Sequence, residues 1–382
     1  MVTVRPLWIL LIVAIGLLAG YYAGRRRGAS DLKRIVLAQM KGRYLGNVLQ
    51  DEGERLAMAS AYIEPDRAIR ELDTYPWDPS CIPTPFVGYA PAPSADPRLA
   101  INSFQFRAKG EVAIPKPVDR LRVFLVGGST AFGSGAPGPD STIGGYLEAT
   151  LNGMVADAGL TVEVFTVAAT AWASSHERIM LENRVSELEP DIVVCLSGYN
   201  DAHWAWNSEN VLWFRAYFER HFLQVMETAY TAADVAFPGD AARAQKVPDI
   251  SEITRILLKN VGLALHSLPG GASYVFALQP FIYACGKALT QRESAFLDRW
   301  HPVQTAYYLD CYQRFRESLS KMAEAGAMGF FDLTDVFVGR DAEEIFLDST
   351  HFGDRGNAIL ARRLANDLAA LVVEKAKAIP RA

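Results

Sequence analysis

Leu121-Arg-Val-Phe-Leu-Val126, followed at once by Gly127-Gly128-Ser129-Thr130, is the stretch on which the fold turns. Its β-branched and aromatic side chains predict a buried strand. The two glycines predict a tight turn, where a side chain would obstruct a sharp change of direction. Ser129 then stands at the carboxyl end of a strand, the place where open α/β sheets bind ligands. Taken alone, the same ten residues also describe an ordinary strand-to-helix turn with a serine cap, so a functional reading needs partners elsewhere.

The pattern continues C-terminally as alternating strands and helices. A helix is expected over about Ser141–Ala158, capped by Ser141 or Thr142. A strand at Thr161–Val167 follows, then a helix opened by Ser174-Ser-His-Glu177, which reads as a capping box. Asp191–Ser197 is an apolar run of the kind covered on both faces. Further strands are expected at Ser273–Gln279 and Phe330–Phe337, and helices at about 290–325 (opened by Thr290-Gln-Arg-Glu293) and 354–376. Such alternation predicts an α/β/α sandwich around a parallel sheet, spanning residues 121–376. The interval 203–270, with Trp204, Trp206, Trp213, Phe214, Tyr217, Phe218 and Phe222, reads as an aromatic-rich helical insertion near the site.

Upstream the composition changes. Ten of the twenty prolines fall between Pro65 and Pro117, a density that forbids long helices and central strands. Trp77, Phe86, Tyr89, Phe104 and Phe106 argue against a free linker, so this stretch reads as an extended arm laid on the domain, the second part of a segment over residues 28–120. Apolar positions at near-helical spacing (Leu32, Ile35, Val36, Met40, Tyr44, Leu45, Val48, Leu49) predict an amphipathic helix before it, a stalk or a dimer contact. Leu7 to Gly24 carries no charge and is followed by Arg25-Arg26-Arg27. That run predicts an uncleaved single-pass anchor over residues 1–27, with Trp8, Tyr21 and Tyr22 at its ends, rather than a signal peptide with small residues before a cleavage site.

Charge and cysteine usage exclude other classes. The net charge is −5, with about +7 in residues 1–50 and about −12 over the rest; an acidic body does not suit nucleic acid. The cationic excess after the apolar run favours a cytoplasmic body. Cys81, Cys195, Cys285 and Cys311 show no CxxC or metal-ligand spacing; Cys195 reads as a core residue, and only a Cys285–Cys311 disulfide is conceivable. No metal or cofactor motif is present. Gly133-Ser-Gly-Ala-Pro-Gly138 matches GxGxxG in letters, but it lies well past the strand and contains proline.

Three polar groups stand where strand patterns end or helix patterns begin: Ser129, Gly198-Tyr-Asn200-Asp201, and Asp348-Ser-Thr-His351. A serine hydroxyl needs a base within hydrogen-bond reach; His351 supplies one, and Asp348 fixes its tautomer. Asn200 offers an amide to an oxyanion. In order and spacing these motifs resemble the SGNH (GDSL-type) hydrolase superfamily over roughly residues 121–370. The resemblance implies a serine hydrolase of acyl esters, carbohydrate-linked or lipid-like, with Ser129, Asp348 and His351 catalytic. It also implies an oxyanion hole from the N–H of Ser129, the N–H of a second-motif glycine, which falls on Ala171, and Asn200. Two positions depart from the family pattern: Ala171 itself, and Gly128, where aspartate is usual. An acyltransferase of glycan hydroxyls and a non-catalytic glycan-binding module share the same motifs as alternatives. The resemblance favours a periplasmic or extracellular body, opposite to the charge bias.

Overall fold

The computed structural model describes residues 6–41, 44–49, 52–207, 217–237 and 249–379. Helix α1 (Pro6–Lys41) is followed by short helices α2 (Glu52–Ala59) and α3 (Pro65–Glu71) and by an antiparallel hairpin, β1 (Cys81–Thr84) and β2 (Gly88–Pro91). The main body then runs β3 (Arg120–Gly127), α4 (Ser129–Phe132), α5 (Ile143–Val155), β4 (Thr161–Ala168), α6 (Ser174–Asn183), β5 (Ile192–Ser197) and α7 (Tyr199–Trp206). It continues through α8 (Tyr217–Ala232), α9 (Ile250–Ser267), β6 (Ser273–Leu278), α10 (Gln291–Ser294), α11 (Pro302–Glu324), β7 (Gly329–Asp332) and α12 (Asp354–Ala378).

Five parallel strands form one sheet in the order β4-β3-β5-β6-β7. The first strand of the sheet is thus internal, and the order reverses beside it, creating a crevice at the carboxyl ends of β3 and β5. Side chains alternate across the sheet with the two-residue period of a strand. Phe124, Val126, Val193, Cys195, Tyr274 and Phe276 face α6, α9 and α11. Val123, Leu125, Ile192, Val194, Leu196 and Val275 face α5 and α12. Helices cover both faces, which is why these strands are largely apolar; Arg122 on β3 is the buried exception, paired with Glu163 on β4.

Several expected boundaries move. Thr142 is the cap of α5, its hydroxyl accepting from Gly145 N at 3.0 Å. The helix expected over 290–325 is split into α10 and α11, because Pro302 opens a new helix. The last strand is only Gly329–Asp332. The capping box expected at Ser174–Glu177 is absent: Glu177 is buried and bonds to Ser197 Oγ, while Ser174 is tied to Asp201. Helix α9 belongs to the main helical layer, packing on α6 and α11, so less of 203–270 is inserted than its aromatics suggest. Trp213 and Phe214 lie outside the described residues. The four cysteines are free thiols; Cys285 and Cys311 lie in the cores on opposite faces of the sheet, which forbids their pairing.

Among the described residues no helix is long and apolar enough to cross a membrane. The expected anchor falls in α1, but side chains up to residue 10 lie outside the described set, and the described part of the run, 11–24, ends at three arginines. A span needs about 20 apolar residues. Helix α1 also extends unbroken to Lys41, through the segment expected to be a separate helix; of that segment's apolar positions, Leu45 is buried and those at 32–40 and 48 have side chains outside the described set.

Candidate active site

Ser129 opens α4 directly after β3, and the two glycines before it are required by close approach. A Cβ on Gly127 would clash with the Leu196 carbonyl oxygen and sit 2.7 Å from Ala131 Cβ. A Cβ on Gly128 would sit 2.5 Å from Asn200 Nδ2 and 3.1 Å from the Trp172 carbonyl oxygen. The neighbouring strand and the α7 amide thus occupy the space a side chain needs.

Ser129 Oγ lies 2.7 Å from His351 Nε2, and His351 Nδ1 lies 2.7 Å from Asp348 Oδ2. The spacing of three residues is closed by an Asx-type turn: Asp348 Oδ1 accepts from the backbone N–H of Thr350 and of His351, both at 2.8 Å. Burial pushes the Asp348 carboxyl up, but the His351 ring and these backbone donors outweigh it, and the group stays below the usual carboxylate range. A further threonine and a glutamine set the serine turn against the histidine turn. Thr130 Oγ1 donates to the Thr350 carbonyl at 3.2 Å and accepts from Gln279 Nε2 at 3.0 Å. Arg107, buried, donates to the carbonyls of Phe132 (2.7 Å) and Gly133 (3.0 Å) and closes the C-terminal end of α4. Burial lowers its pKa to about 9.

The loop between β4 and α6 is held from two sides. From α7, Asn200 Nδ2 donates to the Trp172 carbonyl at 2.7 Å and Trp204 Nε1 to the Ala171 carbonyl at 3.1 Å. Asp201 accepts from Ser174 Oγ at 2.5 Å and from Ser174 N at 3.2 Å. From the proline-rich segment, the Tyr89 hydroxyl donates to the Thr170 carbonyl at 2.7 Å, and Trp172 Nε1 donates to the Tyr89 carbonyl at 3.2 Å. Ala171 itself has φ +66°, the left-handed conformation in which glycine is at ease and a Cβ costs about 1–2 kcal/mol. A glycine-like backbone is therefore present at the position where the resemblance calls for glycine. Asn200 spends one amide N–H on Trp172, which orients the amide plane and leaves the second N–H beside Gly128.

Beneath this loop, Glu177 bonds to Ser197 Oγ at 2.7 Å and to Cys195 Sγ at 3.1 Å. Burial, with the Asp201 charge adding to it, raises the Glu177 pKa to about 8; burial raises Asp201 to about 6. His203, the other histidine close to the site, stacks on Tyr199 and has its Nδ1 2.8 Å from the Tyr308 hydroxyl. Burial lowers its pKa to about 4, so it is a neutral packing residue.

The proline-rich segment contributes residues that sequence reading missed. Trp77 meets the His351 ring edge to face at 4.7 Å, and Asp78 lies close enough to feel the His351 charge. The only sign of this in the sequence was the aromatic content of a segment too rich in proline to be core.

Neither the family models nor the curated proteins compared with this sequence give a match. Among solved structures, the chain is similar to the lipase Lip_vut3 from a goat rumen metagenome: 16% identity, covering 65% of this chain and 97% of that one, TM-score 0.42. It is similar to Axe2, an acetylxylan esterase from Geobacillus stearothermophilus, in a catalytic-mutant form: 14% identity, 65% and 94%, TM-score 0.40. A two-domain esterase active on acetylated mannans is similar at 14% identity over 67% of this chain and 50% of that one, TM-score 0.38. These are likenesses of overall shape, and the chemistry is argued from the site itself.

Proposed function

We propose that the protein is a serine esterase of the SGNH type, cleaving an acyl ester through Ser129, His351 and Asp348. The observation that carries this reading is the continuous bonding from Ser129 Oγ to His351 Nε2 and from His351 Nδ1 to Asp348, each at 2.7 Å. A binding module has no need of a serine hydroxyl bonded to a histidine that is itself held by a carboxylate.

In the proposed reaction, Ser129 Oγ attacks the ester carbonyl as its proton passes to His351 Nε2. The oxyanion is received by the N–H groups of Ser129 and Ala171 and the free N–H of Asn200. Collapse breaks the bond to the alcohol, which leaves with the proton from Nε2. Water, deprotonated by His351, then attacks the acyl-serine, and the carboxylic acid departs as Ser129 recovers its proton. The test is labelling of the intact protein by a fluorophosphonate together with turnover of a short p-nitrophenyl ester. Ser129→Ala should abolish labelling and lower turnover by at least about three orders of magnitude. Turnover retained by folded Ser129→Ala protein would refute the assignment.

The anchor is proposed with it. Leu11, Ile12, Val13, Ile15, Leu17 and Leu18 are exposed on α1 and continue the uncharged run begun at Leu7. Full-length protein should stay in the membrane fraction through an alkaline carbonate wash; release by that wash would remove the anchor.

A further inference from the structure

The turn that carries Asp348 and His351 is the tip of a short hairpin. Leu347 N donates to the His351 carbonyl at 2.8 Å, Gly353 N donates to the Ile345 carbonyl at 2.9 Å, and Phe346 bridges Phe352. The Asx-type turn fixes Asp348 against His351. It fixes neither of them against Ser129, which belongs to a distant part of the chain. That relation depends on how the hairpin is held.

Its first arm is gripped by the segment that follows β6. Alternate residues of an antiparallel pair turn their N–H and C=O groups away from the partner, and Phe346 is such a residue. The Glu293 carboxylate accepts from Phe346 N at 3.1 Å and from Ile345 N at 2.9 Å, while Arg292 donates to the Phe346 carbonyl. Arg292 Nε also donates to Glu344 Oε2 at 2.9 Å. Lys287 Nζ donates to the Glu293 carboxylate at 2.6 Å and to the Glu343 carbonyl. Nearer the tip, Ile282 N donates to the Ser349 carbonyl at 3.0 Å. The Lys287 and Glu293 side chains are fully shielded from solvent. Burial pushes the Glu293 carboxyl up, but Lys287 and the backbone donors outweigh it and hold the group below the usual carboxylate range.

A fully buried ion pair is a poor source of stability, because desolvation of the two charges offsets their attraction. What this one supplies is direction, in charge-assisted bonds of fixed geometry to one stretch of backbone. Resting on the esterase reading, we propose that Lys287, Arg292 and Glu293 are positioning residues, whose grip on residues 343–346 sets His351 Nε2 at bonding distance from Ser129 Oγ. A misplacement of about 1 Å at reacting atoms costs about a hundredfold in rate, so the clamp is felt in turnover rather than in substrate binding.

The test is Lys287→Met/Glu293→Leu, which removes both charges together and leaves no buried ion unpaired. Ring-nitrogen chemical shifts of His351 are read by NMR in the full chain, whether or not it turns over ester. Ser129→Ala removes the bond to Nε2 and marks the shift of the unbonded nitrogen. In the double variant the Nε2 resonance should move at least about halfway to that mark. Turnover of a short p-nitrophenyl ester should fall at least about tenfold in kcat, with KM within about threefold. Leu151→Ala, a cavity in the core beneath α5, controls for lost stability alone and should keep the native resonance. A native resonance or a kcat within about twofold of native in the folded double variant overturns the clamp, as does an equal change in Leu151→Ala. Should the double variant fail to fold, Arg292→Met, at a side chain that is not fully buried, carries the decision: the same direction of shift and at least about a threefold loss of kcat uphold the clamp, and native values overturn it. If Ser129→Ala itself leaves the Nε2 resonance in place, the triad contact is absent and the esterase reading falls together with the clamp. If Ser129→Ala moves it and the double variant does not, the clamp alone falls.

Discussion

Gly128→Ala tests how the site is assembled. The new methyl would lie 2.5 Å from Asn200 Nδ2 and 3.1 Å from the Trp172 carbonyl oxygen. Carbon–heavy-atom contacts settle near 3.5 Å, so the amide must retreat by roughly 0.5–1 Å. That motion stretches the 2.7 Å bond from Asn200 to Trp172 and swings the second N–H away from the oxyanion position. Loss of one such donor costs about a hundredfold to a thousandfold in kcat, roughly 3–4 kcal/mol of transition-state stabilisation. Stability should change much less: about 1–3 kcal/mol of overpacking, offset by about 0.4–1 kcal/mol from the stiffer unfolded chain. The assay is kcat on a short p-nitrophenyl ester, normalised by fluorophosphonate titration of Ser129, with thermal melts to establish folding. A double-mutant cycle makes the test specific. In an Asn200→Ala background the methyl has no amide to displace, so Gly128→Ala should cost no more than about threefold there. Equal losses in both backgrounds, or undiminished kcat in Gly128→Ala alone, would refute the reasoning.

Ala171→Gly should leave kcat within about threefold and stability within about 1 kcal/mol, because relief of the left-handed strain at φ +66° offsets the greater freedom of glycine when unfolded; a tenfold loss of kcat would show that the methyl itself matters. Proline cannot probe that N–H, since its φ is fixed near −65°. The Glu177 carboxyl, raised from 4.5 to about 8, makes the folded chain hold a proton that the unfolded chain releases. Its contribution to stability is therefore complete below about pH 4.5, declines as pH rises to about 8 and is flat beyond, an effect on the order of 2–5 kcal/mol. Denaturant melts at pH 5.5 and 8.5 should show that decline in the native protein and a much smaller one in Glu177→Gln; parallel slopes would contradict the assignment.

Much of this protein is local and so was legible in the chain. The short, β-branched and aromatic-rich runs 121–126 and 192–197, each ending at glycine, read as strands covered on both faces. The Asp348–His351 spacing is likewise local, since an Asx-type turn closes over three residues by its own backbone bonds. Ser129, Asn200 and the Ala171 loop each follow a strand, and parallel strands deliver their carboxyl ends to one edge.

What the chain did not declare depends on contacts between distant segments. Gly127 and Gly128 read as residues of a tight turn, yet the close approach of Leu196 and Asn200 is what excludes side chains there. Glu177 had the spacing of a helix cap and became a buried acid instead, because Ser197 and Cys195 on the neighbouring strand offered hydrogen bonds inside the core. Trp77 and Asp78, some fifty residues before the nucleophile in a proline-rich stretch, reach His351 only because Tyr62 and Pro76 bond to Gly135. Periodicity and capping operate over a few residues, whereas these pairings span tens to hundreds, and only the packed chain brings them within bonding distance.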